Sequence, residues 1–229
     1  MSDDGPPDAI RQVRFRAAEG ATTLLIVRHG ESAAAITGQV GPLRDGHGDP
    51  SLHPEGETQA RRLGERLANE HAAGAAIDAI YVTTLQRTRQ TAAPLAAALG
   101  LTPIVEPDLR EVFLGDWEAG GEFRARVLAN DPIIRRVFEE ERWDEIPGAE
   151  RLEAFDDRIS GAIDRIVAAH PGQRVVVVAH GAVIGHVMHR ATGSRRFAFA
   201  TTDNASISEL VVHDGRTTMR RYNDTAHLQ

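Results

Sequence analysis

The chain has 229 residues, 41% of them hydrophobic, with 26 basic against 33 acidic side chains and a formal charge of −7. That length holds one well-buried core or at most two small ones, and the acidic balance argues against general nucleic-acid binding. There is no cysteine and no lysine, so every basic side chain is an arginine. This excludes disulfides, thiolate nucleophiles, zinc–thiolate sites, Schiff-base chemistry and a lysine-bearing P-loop.

Residues 1–10 are acidic and Pro-rich without an apolar stretch, and read as no secretory signal. The longest apolar runs, 24–27 and 175–179, are strand-sized and too short for a bilayer. A cytoplasmic enzyme without a membrane partner is the expectation. Residues 1 to about 20 read as a flexible tail broken by Asp3-Asp4-Gly5-Pro6-Pro7, and 21–229 as a single domain. In chain order the pattern predicts a strand over 22–27, a helix over 54–69, a strand over Ala79–Val82, a helix over 85–99 and a strand over 102–105. A helix follows with Leu152, Phe155, Ile159, Ile163 and Ile166 on its apolar face. Then come a strand over Arg174–Ala179, a helix over 182–191, and a hairpin turning at Asp214-Gly215.

Strands alternating with helices imply an α/β three-layer sandwich, with a mostly parallel central sheet and helices on both faces. The Val-rich strand lacks alternation, which fits burial on both sides. Residues about 116–150 hold both tryptophans and the arginines Arg124, Arg126, Arg135 and Arg136, and read as a small helical cap.

Ligands of open α/β sheets bind beyond the carboxyl ends of the strands. There the sequence places Arg28-His29-Gly30-Glu31-Ser32, then Thr83-Thr84-Leu85-Gln86-Arg87, then His180-Gly181. Glycine after each histidine is expected to admit a ligand close to the backbone, and the helices that follow to aim free N–H groups at the same edge. Two imidazoles, two guanidiniums and helix N-termini make an anion site. A neutral imidazole can also accept a phosphoryl group covalently. Glu111, in a loop entering the cap, is the best-placed acid for a leaving oxygen. Taken singly, each motif would read as a structural histidine or a solvated arginine; the case rests on three equivalent strand ends.

These residues resemble the histidine phosphatase superfamily, in its phosphoglycerate mutase-like branch, from about Thr22 to Leu228. Arg28-His29-Gly30-Glu31-Ser32 is similar to its opening signature. Asp49-Pro50-Ser51-Leu52, continuing to Gln59-Ala60, is similar to its second segment, and Thr84 to Ala92 to its arginine-bearing helix. The resemblance implies that His29 becomes phosphorylated, that Arg87 is the second phosphate arginine, that Glu111 is the general acid and that His180 is the second catalytic histidine. Arg28, His29, Ser32, Arg87, His180 and Gly181 are the implied phosphate-binding set, with no cofactor and no metal. The implied partner is a small phosphorylated metabolite, and a homodimer stays open.

The family often carries asparagine where this chain has Ala35, so one polar contact is either missing or supplied by the following loop, from Thr37 or Gln39. The absence of lysine, and only 69 positions between Glu111 and His180, favour a phosphatase over a mutase-type phosphotransferase. That transferase is the alternative. A metal hydrolase using His186 and His189, three apart on one helix, and a non-catalytic phosphate binder are lesser rivals.

Overall fold

The computed structural model describes residues 15–36, 39–119 and 121–229. Most of the expected tail (1–14) and Thr37 lie outside the described residues. From 18 to 20 the chain is fastened: Gly20 O accepts from Gly172 N and Glu19 O from His213 Nε2, both at 3.0 Å.

Among the described residues eight strands and six α-helices follow. They are β1 (Thr22–Arg28), β2 (Leu43–Arg44), β3 (His47–Gly48), α1 (Pro54–Ala72), β4 (Ala79–Val82), α2 (Gln86–Leu99) and β5 (Ile104–Val105). After them come α3 (Glu122–Leu128), α4 (Pro132–Glu140), α5 (Leu152–Ala169), β6 (Arg174–Ala179), α6 (Gly181–Thr192), β7 (Ile207–His213) and β8 (Arg216–Asp224). The six-stranded sheet runs β5-β4-β6-β1-β7-β8. Its first four strands are parallel, and the β7–β8 hairpin joins antiparallel to β1.

The strand period of two splits the core into two faces. Leu24, Ile26, Val175 and Val177 pack with Phe155 and Ile159 of α5 and Val183 and Ile184 of α6. Leu25, Val27, Val176 and Val178 pack with Leu63 and Leu67 of α1 and Ala92 and Leu95 of α2. The three-layer α/β expectation is met, and the unalternating Val run has its physical reason. Trp117, Ile134, Val137, Trp143 and Ile146, from the α3–α4 stretch, continue the first core.

Three details depart from the expectation. The strand at 102–105 shrinks to Ile104–Val105, an edge pair with both side chains exposed. A small hairpin, β2–β3, occupies the glycine-rich loop, turning at Asp45 (φ 51°) and Gly46 (φ 84°). Gly30 serves packing. A Cβ there would meet Gly56 O at 2.6 Å, and one on Gly56 would meet Glu31 O at 2.0 Å. The two glycines let the start of α1 touch the turn that carries His29. Gly56→Ala should therefore cost about 1–3 kcal/mol as an overpacked contact, read from the urea midpoint. An unchanged midpoint would show that the turn yields freely.

Candidate active site

β1 and β6 pair in parallel with Arg28 opposite Ala179, and His29 N donates to Ala179 O at 3.0 Å. The next residues, His29 and His180, therefore leave the sheet side by side, with ring centroids 5.2 Å apart. Both are buried.

The hydrogen bonds of His29 define its tautomer. Nδ1 lies 2.7 Å from Gly30 O, a carbonyl that only accepts, so Nδ1 carries the proton. Nε2 keeps its lone pair and receives Arg87 Nε–H at 3.2 Å. Desolvation, followed by the charge of Arg87, pushes the His29 pKa well below the usual histidine value, although the Gly30 bond opposes this. His180 is lowered in the same direction, first by desolvation and then by Arg87 and His29. Its Nε2 lies 3.0 Å from Thr83 Oγ1, and Thr83 is fixed in turn by Thr88 and Leu85 N. His180 Nδ1 and Arg28 Nε are both buried without a partner among the described residues. Buried donors and acceptors are almost always paired, so these two groups mark a place for a polar ligand.

Arg28 is held by Thr202 O, and Arg87 Nη1 donates to Gly48 O at 2.9 Å. Burial lowers the pKa of both guanidiniums and Glu111 opposes it; guanidiniums stay charged all the same. Glu111 approaches from the loop after β5. Its Oε1 accepts Val112 N at 3.1 Å and its Oε2 accepts Ala182 N, at the start of α6, at 3.4 Å. Desolvation raises its pKa against those hydrogen bonds and the nearby arginines. A Cβ on Gly181 would stand 3.8 Å from Arg28 Nε and 3.9 Å from Glu111 Oε2, so this glycine, unlike Gly30, does open onto the site.

The expected helix N-termini divide. The first N–H of α2, Gln86 N, is taken by Asp49 Oδ1 at 2.7 Å, so that end is closed by a carboxylate, whereas α6 faces Glu111. Ser32 is buried in a bridge to Leu52, and its hydroxyl accepts from Arg124 Nη2 at 3.1 Å. Of the four cap arginines named above, Arg124 alone is drawn to this cluster, and a fifth, Arg142, pairs with Asp144 and Glu153. Arg126 pairs with Glu122 and Asp131, Arg136 pairs with Glu145, and Arg135 is exposed. A Cβ on Gly121 would come within 2.8 Å of the Ala35 methyl, so the entrance to α3 abuts the position where the family often has asparagine.

Sequence reasoning missed the supports. Asn204 Nδ2 donates to His29 O at 2.9 Å, and no periodicity marks the loop that carries it. Gln59 and Gln90, both inside the quoted motifs, accept Glu31 N and Leu52 N at 2.8 Å. His186 and His189 face different partners. His186 sits between Asp156 and Ser160, and His189 Nδ1 meets Ser194 O. Among the described residues no group of three His, Asp or Glu side chains is placed to hold a metal ion, and no helix is long and apolar enough to cross a membrane.

The sequence profile of the histidine phosphatase superfamily (branch 1) matches residues 24–225. The chain belongs to that family. It is 34% identical over 210 residues to phosphoglycerate mutase-like protein 4 of Arabidopsis thaliana, covering 90% of this chain and 86% of that protein. It is 32% identical over 209 residues to phosphoserine phosphatase 1 of Hydrogenobacter thermophilus, covering 90% and 93%. A solved mycobacterial glucosyl-3-phosphoglycerate phosphatase superposes with a TM-score of 0.71 at 25% identity, over 90% of this chain and all of that one (100%). The histidine phosphatase family and its α/β fold are thus established by sequence and by structure.

The buried histidines have a consequence for stability. Unfolded histidine titrates near pH 6.5, about its reference value. Because the folded values of His29 and His180 are depressed, the unfolded state binds more protons below that pH. Stability is full above the unfolded value and is lost as pH falls toward the folded one. His180→Gln should flatten this acid limb, seen as a smaller drop in urea midpoint from about pH 7 to about pH 5. A drop as steep as wild type would show that His180 is not held neutral.

Proposed function

We propose that the protein is a cofactor-independent phosphomonoesterase that hydrolyses small organic phosphate esters through a phosphohistidine on His29. The observation that carries this reading is the His29 tautomer: Nδ1–H is tied to Gly30 O, and Nε2 is left unprotonated, its lone pair turned to the guanidinium of Arg87. The named phosphatases among its relatives support the same chemistry.

In the first step the Nε2 lone pair attacks phosphorus, and the bond from phosphorus to the ester oxygen breaks. That oxygen takes the proton of Glu111, whose pKa desolvation raises. Arg28, Arg87, His180 Nδ1 and the Gly181 N–H hold the equatorial oxygens and stabilise their charge. Ser32 and Arg124 form the wall on the cap side. In the second step the Glu111 carboxylate takes a proton from water, the resulting hydroxide attacks phosphorus, and the electron pair returns to Nε2 as inorganic phosphate leaves. Residues 21–229 act as one domain in this reading, with about 116–150 as its cap, in the cytoplasm, on a small phosphorylated metabolite.

The test uses two substitutions. His29→Asn should lower turnover by at least ~10³-fold and abolish a phosphoenzyme that is acid-labile and alkali-stable; wild-type activity should survive a chelator. Glu111→Gln should slow single-turnover phosphorylation by an alkyl phosphate ~10²-fold or more, but slow p-nitrophenyl phosphate far less, since its leaving group hardly needs a proton. Label on another residue, or inorganic phosphate release slower than isomerisation of a phosphoglycerate, would overturn the assignment.

A further inference from the structure

The loop that carries Glu111 has little structure of its own. Among the described residues between β5 and α3 it contains only two 3-10 turns, Pro107–Leu109 and Gly115–Trp117. Within the loop Val112 N holds Glu111 Oε1, and the backbone that carries both is held from outside.

One side chain on α5 does this. An arginine offers five N–H donors in a planar fork, and Arg158 engages all of them. Nε donates to Glu150 Oε1 at 2.6 Å and Nη2 to Glu150 Oε2 at 2.8 Å. Nη2 also donates to Glu111 O at 3.1 Å, while Nη1 donates to Arg110 O at 2.8 Å and to Asp108 O. Three carbonyls of the acid-bearing turn thus converge on one guanidinium. Glu150 grips the other side of Glu111: its N–H donates to Phe113 O at 2.9 Å and its Oε2 accepts Phe113 N at 3.4 Å. The guanidinium lies 5.0 Å above the Phe155 ring, itself in the core, and Arg158 and Glu150 are largely buried at 18% and 17% side-chain exposure.

We propose that Arg158, locked by Glu150, is a positioning residue that fixes the height of the Glu111 carboxyl over the phosphoryl group. The proposal rests on the reading of Glu111 as proton donor. Arg158 touches neither substrate nor phosphorus in this account; it acts through the backbone of residues 108–111. A lysine cannot replace it, because three rotatable donors do not reproduce a planar fork serving two carboxylate oxygens and three carbonyls.

Arg158→Met, Arg158→Lys, Glu150→Gln and Glu111→Gln, each in the full chain, test this by single-turnover phosphorylation with glycerol 2-phosphate and p-nitrophenyl phosphate. Misplacement of a catalytic group by about 1 Å costs about 10²-fold, so Arg158→Met should slow the alkyl ester ~10²-fold. The aryl ester should slow less than about 5-fold, with lysine recovering little of the loss. Glu150→Gln, which keeps one acceptor oxygen and the backbone bond to Phe113 O but puts an NH2 in place of the other oxygen, keeps the test open should Arg158→Met fail to fold and should show a smaller but equally selective loss. Added to Glu111→Gln, the Arg158→Met change should cost the alkyl ester nothing further. Equal slowing of both esters, or full additivity with Glu111→Gln, would make Arg158 merely structural and overturn the proposal. An unselective Arg158→Met beside a selective Glu111→Gln removes the positioning role alone. An unselective Glu111→Gln removes the acid reading, and the proposal with it.

Discussion

The parallel pairing of β1 with β6 at the centre of the sheet is the constraint on which the site depends. Its register sets Arg28 against Ala179, so the residues that follow emerge at one edge as a histidine pair. Apolar side chains on both faces hold that register, with Leu24, Leu25, Val175 and Val176 fully buried. A one-residue slip would turn every one of them to the wrong face. The chemistry at the edge is therefore stabilised by the same contacts that stabilise the core.

Burial then tunes the groups it assembles. Desolvation disfavours charge whatever its sign, so one environment pushes His29 and His180 down and Glu111 up. Both shifts suit phosphoryl transfer, which needs a neutral imidazole and a protonated acid at the same pH. The arginines escape this logic because a guanidinium keeps its proton. In a chain without lysine, they are the permanent cations available for phosphate oxygens.

The sheet, its helices and the polar residues at three strand ends were legible because strand period, Val-rich burial and turn dipeptides are local signals. The same Asp-Gly signal that marks the β7–β8 turn, at Asp214 and Gly215, also stood at Asp45-Gly46. There it lay inside a loop too short in apolar residues to read as strands. Gly30 shows the opposite limit: its need comes from Gly56, 26 positions away in sequence, and only the fold reveals it. The contacts of Asn204, Arg124 and Arg158 likewise span long sequence distances, and an isolated arginine on a helix carries no mark of what it reaches. Those contacts hold the backbone of His29, the hydroxyl of Ser32 and the backbone of Glu111.

The central claim is that the fold holds His29 neutral with its proton on Nδ1. Nitrogen-15 NMR of selectively labelled histidine, titrated on the acid side of neutrality, measures this directly. The account predicts that the His29 signals keep a protonated Nδ1 and an unprotonated Nε2 to well below the usual histidine value. A proton on Nε2, or titration near pH 6.5, about the value of a free histidine, would contradict it.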